Sequence, residues 1–176
     1  MDKFPNLKKP SHLISTFFGV GLLPLAPGTW GSLVGFLLFL FLIELNFTYL
    51  IFFITATFFI LSSFFIIEHA TKKAEKKDHK SIVLDEISGL WLSFLFLPFL
   101  GVYDFNQNLW SDQTLTISFF LFLAFRFFDI LKPWPISYID KRLKSGFGVV
   151  MDDLIAGIFS FLSVACALFI FNFYFV

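Results

Sequence analysis

The chain has 176 residues, 57% of them hydrophobic and 30 of them phenylalanine, with a mean hydropathy of +0.82. A soluble domain of this size is about 45–50% apolar, so this much aromatic surface needs lipid to face. Thirteen basic and thirteen acidic residues cancel, which excludes the basic excess that general nucleic-acid binding requires.

The N-terminus is polar through Ser11 and shows no apolar core followed by a small-residue cleavage site, so no cleavable leader is expected. His12 to Leu25 is moderately apolar and broken by Gly19, Gly21 and Pro24. It reads as a short helix at the membrane interface, with a simple loop as the alternative. A membrane-spanning helix needs roughly 20 mostly apolar residues. Five stretches qualify, at about 29–45, 47–67, 87–103, 115–131 and 154–175. The first is short and opens on a Gly/Pro-rich loop, so four spans are also compatible. The runs are continuous and not alternating, which points to helices and not to a closed barrel. The expected fold is an all-α integral membrane bundle, with residues 1–176 forming one membrane-embedded domain. Glu68 to Lys80 is highly charged and is expected to carry the second helix into the cytoplasm. Cys166 lies in an apolar run without a disulfide or zinc partner and reads as a small buried side chain.

Lys and Arg orient the bundle. Counting the N-terminus as inside, the inner segments hold Lys3, Lys8 and Lys9, then Lys72, Lys73, Lys76, Lys77 and Lys80, then Lys132, Lys141, Arg142 and Lys144. The outer segments, near Asn46 and from Asp104 to Thr114, hold none. This positive-inside pattern favours an odd number of spans with the C-terminus outside.

Four clusters map to that inner boundary. They are Ala26-Pro27-Gly28-Thr29-Trp30-Gly31-Ser32, then Asp85-Glu86, then Arg126 through Asp129 and Lys132 to Pro135, and then Asp152-Asp153. Five carboxylates (Asp85, Glu86, Asp129, Asp152 and Asp153) therefore share one depth. Clustered carboxylates repel unless a positive charge offsets them. Magnesium takes oxygen ligands and retains phosphate oxygens in its shell, so it suits such a set. Arg126 and Lys132 become candidate phosphate clamps. Thr29 and Ser32, with the backbone N–H groups of a helix start, could receive a phosphate. Plainer readings stand beside these. Acids at helix starts are ordinary caps, and Arg126 and Asp129 are three apart and could simply pair. Charges this close to hydrocarbon are costly, which favours function. His79 could serve as an acid or base, or be a surface residue; His12 and His69 read as structural or solvated.

In this order the four clusters resemble bacterial phosphatidylglycerophosphatase A. The resemblance rests on Gly21 to Ser32, Asp78 to Glu86, Phe125 to Pro135 and Gly146 to Gly157, and extends over roughly Ser11 to Phe169. Asp140 fits the family's acidic position after Lys132-Pro133-Trp134-Pro135. The resemblance implies a magnesium-dependent inner-membrane enzyme that removes the terminal phosphate of phosphatidylglycerophosphate to give phosphatidylglycerol.

On that basis Asp85, Glu86, Asp129, Asp152 and Asp153 are expected to hold magnesium directly or through water and to form the catalytic set. Arg126, Lys132, Thr29 and Ser32 are expected to bind phosphate. Water attack and an aspartyl-phosphate intermediate both fit. The expected partners are the phospholipid substrate and membrane lipid, with no nucleic acid and no obligate protein partner. The expected site is the cytoplasmic face of the bacterial inner membrane. An ion-coupled transporter is the alternative, although such sites usually lie near the midplane between broken helices, whereas these acids gather at one edge.

Overall fold

The structure is a computed structural model, which describes residues 4–72, 74, 78–101, 111–143 and 145–175. Lys3, Lys73, Glu75, Lys76, Lys77 and Lys144 lie outside the described residues, as do residues 102–110, which include Asp104. The described chain is all-helical: α1 (Pro10–Ser15), α2 (Pro27–Glu44), α3 (Tyr49–Thr71), α4 (Leu84–Leu95), α5 (Asp112–Leu131), α6 (Ile136–Arg142) and α7 (Gly146–Phe175). Short 3-10 turns occupy Val20–Leu22 and Leu97–Leu100. The stretch His12 to Leu25 thus holds the end of α1 and the first of these turns.

Four helices, α2, α3, α5 and α7, are long and apolar enough to cross a membrane. Only 22% to 33% of each apolar window is buried inside the bundle, so most of the phenylalanine-rich surface faces outward. Polar headgroups cannot cover that surface, but acyl chains can. Cys166 lies on the exposed surface of α7 and not in a packed interior. In lipid the outside of a helix is as apolar as its core, so apolar neighbours in sequence did not signify burial.

The third candidate span falls on α4. Its twelve residues make about 18 Å of helix, short of the roughly 30 Å hydrocarbon core. Ten of the twelve are buried, as expected of a helix enclosed by others. Tyr49 Oη at the start of α3 donates to Leu95 O at the end of α4 (2.5 Å). Trp91 Nε1 donates to Gly35 O of α2 (2.9 Å). Such bonds matter inside a bilayer, where no water can satisfy a stray polar group. Between helices in lipid, van der Waals packing replaces the hydrophobic drive. The stacked rings of Phe39 and Phe94, with centroids 4.3 Å apart, supply some of it.

The tightest crossing joins α4 to α7. A Cβ built on Gly89 would collide with the Asp153 carbonyl oxygen, and one on Gly157 would collide with Gly89 O. Two glycines one turn beyond the acidic pairs thus let the two backbones touch. Helix α3 ends at Thr71 with Lys72 as its cap, earlier than the expected extension towards Lys80.

Candidate active site

Every predicted site residue lies at the same edge of the bundle, at the starts of α2, α4 and α7 and the end of α5. Helix α2 begins with Pro27 at its first position after Ala26 in a left-handed conformation (φ 55°). Gly28 follows, and a Cβ there would strike Glu86 Oε1. The missing side chain lets the Glu86 carboxylate lodge against the start of α2. Helix α5 ends because Pro133 cannot continue it. Lys132 caps it with φ 42°, its N–H donating to Phe128 O.

Asp85, Glu86 and Asp153 each offer one carboxylate oxygen within 4.8 Å of the other two. Asp85 and Asp153 are buried and Glu86 is partly buried. The close α4–α7 crossing produces this meeting, since Asp85 lies four residues before Gly89 and Asp153 four before Gly157. The remaining two predicted carboxylates hold the cations. Asp129 Oδ2 accepts from Arg126 Nη1 (2.5 Å). Asp152 Oδ2 and Asp140 Oδ1 both accept from Lys132 Nζ (2.5 and 3.0 Å). The simple i, i+3 pairing of Arg126 with Asp129 is therefore present, but Arg126 does more than pair. Its Nη1 also donates to Ser32 Oγ (3.0 Å) and its Nη2 to Thr29 Oγ1 (3.2 Å). Ser32 Oγ in turn donates to Gly28 O (2.8 Å). Both predicted hydroxyls thus touch the guanidinium directly.

Burial alone would depress the Lys132 ammonium, but the charge of Asp152 and the hydrogen bonds to Asp152 and Asp140 outweigh it. The net effect holds Lys132 well above the ordinary lysine value, so it stays charged at neutral pH.

Among the described residues, four buried side-chain polar atoms lack a hydrogen-bond partner: Asp85 Oδ1, Glu86 Oε2, Arg126 Nε and Asp152 Oδ1. All four belong to this site. A buried unpaired polar atom costs about 1–3 kcal/mol, more when charged, so their concentration in one place suits a bound ligand. An oxygen-only set of converging carboxylates fits a hard divalent cation, and an unpaired guanidinium N–H fits an anion beside it.

Other residues settle elsewhere. His79 Nδ1 accepts from Ser81 N (3.2 Å), and its ring lies edge-on to Phe4, 5.1 Å between centroids. Trp134 is exposed beyond the end of α5. In the sequence Glu68 simply opens the highly charged stretch that runs to Lys80. Its Oε2 accepts from Gly146 N at the start of α7 (2.7 Å), pinning α7 to α3. No local spacing signals that contact, because 78 residues separate the partners.

Acidic residues and paired cations at one end of a bundle of membrane-length helices define an integral membrane protein with a charged site whose acidic cluster could hold a metal ion. The family model for phosphatidylglycerophosphatase A matches residues 13–168, and the chain belongs to that family. It is 38% identical over 159 residues to phosphatidylglycerophosphatase A of Haemophilus influenzae, covering 90% of this chain and 89% of the relative. It is 31% identical over 162 residues to phosphatidylglycerophosphatase A of Escherichia coli, covering 88% and 81%. A Bacteroides thetaiotaomicron protein named as a candidate phosphatidylinositol-3-phosphatase is 35% identical over 167 residues, covering 92% and 97%. No solved structure matches.

Proposed function

We propose that this protein hydrolyses the terminal phosphate of phosphatidylglycerophosphate, giving phosphatidylglycerol and phosphate, with magnesium, at the cytoplasmic face of the bacterial inner membrane. The observation that carries the reading is the convergence of Asp85, Glu86 and Asp153, with unpartnered oxygens on Asp85 and Glu86, beside Arg126. Family membership narrows the chemistry to a lipid phosphatase.

The five carboxylates Asp85, Glu86, Asp129, Asp152 and Asp153 would hold magnesium directly or through water. Once bound, the ion supplies charge stabilisation to the phosphoryl oxygens. Arg126 offers a planar fork to the terminal phosphate, and Lys132 a second positive charge. Asp129, Thr29 and Ser32 fix the plane of that fork before substrate arrives, which lowers the cost of orienting it. Asp140 does the same for Lys132. The acyl chains remain in the bilayer, so only the headgroup has to reach the charged edge. The lysine distribution supports a cytoplasmic site. Phospholipid is the only partner this chemistry requires.

Purified full-length protein in detergent, given phosphatidylglycerophosphate, should release phosphate with magnesium and stop with a chelator. Phosphatidylinositol-3-phosphate in a parallel reaction tests the substrate class suggested by the Bacteroides relative. Undiminished release in chelator, or in Asp153→Asn with magnesium, would refute the metal-site reading.

A further inference from the structure

We infer that a second phospholipid with an anionic headgroup, distinct from the substrate, binds astride the last turns of α3. Two cavities of about 970 and 940 Å³ open on opposite sides of this helix end. Their shared wall is Phe65, His69 and Lys72. Spacings of four and three place these residues on one helical ridge. Phe65 is 78% exposed, so the ridge stands proud of the bundle.

The first cavity runs under α1, between Ile14, Ile66 and Ala70. The second runs between Leu61, Phe64 and Phe147, towards the start of α7. Both walls are apolar for most of their length. Among the described lining residues, positive charge comes from Lys72 in both cavities and Lys9 in the first. Lys72 lies seven residues beyond Phe65, about 10 Å along the axis. That offset suits a headgroup at the interface with chains beneath it.

One cationic crest between two apolar grooves matches one headgroup with two acyl chains. Glu68 is the acid on the second cavity, and its Oε2 already accepts the Gly146 N–H, which turns its charge towards the start of α7. Counted over the described lining of both cavities, Lys9 and Lys72 against Glu68 leave one positive charge in excess, which favours an anionic headgroup over a zwitterionic one. The carboxylates of the acidic centre line neither cavity, and α3 contributes nothing to that centre. In a bilayer the occupant is always at hand, because lipid is the solvent.

The probe is phosphatidylserine, which is anionic but carries no terminal phosphomonoester. Full-length protein in detergent, mixed with phosphatidylserine or phosphatidylcholine, is examined by native mass spectrometry. Retention of one phosphatidylserine in preference to phosphatidylcholine is expected, weakening as salt is raised. Lys72→Gln should lower retention about five-fold, the equivalent of one lysine at an anionic headgroup, and Lys72→Arg should restore it. Phe65→Ala should weaken it by removing the ridge between the chains. Asp153→Asn should leave it unchanged. Equal retention of both lipids, insensitivity to salt, or loss in Asp153→Asn with Lys72→Gln unaffected would overturn the assignment.

Discussion

Gly89→Ala tests whether the glycine crossing builds the acidic centre. The new Cβ would overlap the Asp153 carbonyl oxygen and sit 2.7 Å from its carbon and 2.8 Å from Phe125 Cε2. Comfortable contact between such atoms is about 3.5–4.0 Å, so α7 must retreat from α4 by roughly 1 Å. Two of the obstructing atoms are backbone, so a rotamer change does not relieve the clash. Overpacking of this kind costs about 1–3 kcal/mol of stability. The larger effect falls on chemistry, because the retreat carries Asp153 away from Asp85 and Glu86. A 1 Å displacement in a catalytic constellation costs on the order of 10²-fold in rate. Phosphate release should therefore fall about a hundred-fold, and the magnesium concentration for half-maximal activity should rise. Gly35→Ala is the matched control on the α2–α4 crossing. There a Cβ would meet the Ile87 side chain at 3.2 and 3.3 Å, which a small shift can absorb without parting α4 from α7. Both variants are assayed for phosphate release across a magnesium titration and for thermal unfolding in the same detergent. A normal rate and magnesium requirement in Gly89→Ala, or equal losses in both variants, would refute the idea that this crossing sets the site.

Arg126→Lys keeps the charge but cannot reach Asp129, Thr29 and Ser32 together. It should lose about 10- to 100-fold in kcat/KM, with most of the loss in kcat, read by steady-state phosphate release. Lys132→Gln leaves Asp152 buried without its cation and should cost about 2–3 kcal/mol by thermal unfolding. The Lys132 pKa is raised, so its contribution is complete below the ordinary lysine value and is lost only as pH climbs through the higher folded one. Lys132 therefore stays charged in the folded protein from about pH 6 to pH 9. An unchanged melting temperature in Lys132→Gln would contradict the assignment. Glu68→Gln weakens the bond to Gly146 N and should lower stability by about 0.5–1 kcal/mol, with activity affected only through α7. Cys166→Ser should change neither activity nor melting appreciably, since that side chain faces lipid.

Much of this was legible in the chain because a bilayer limits the choices. Continuous apolar runs must become helices, and lysines must stay on one side, so the depth shared by Asp85, Asp129 and Asp153 followed before any contact was known. The interior packing was less legible. Hydropathy treats a residue facing lipid and one facing the core alike, which is why Cys166 read as buried and why α4 looked like a fifth span of ordinary length. The division of labour among the carboxylates was hidden for another reason. Asp152 and Asp153 are neighbours, and only their directions on α7 send one to Lys132 and the other to Asp85 and Glu86. Contacts across long sequence separations, such as Glu68 with Gly146 or Arg126 with Thr29, leave no periodic trace.

Helix α5 carries both positive charges of the site at one end, Arg126 in its last turns and Lys132 at its cap. Their separation along the chain is written in backbone hydrogen bonds and not in the packing of α5 against its neighbours. The lipid-facing residues interleaved between them, Phe127, Ile130 and Leu131, are all exposed. Those positions can exchange one oily side chain for another without moving either charge. A membrane enzyme built this way can let its outer coat drift with the composition of its bilayer while the gauge that measures its headgroup stays fixed.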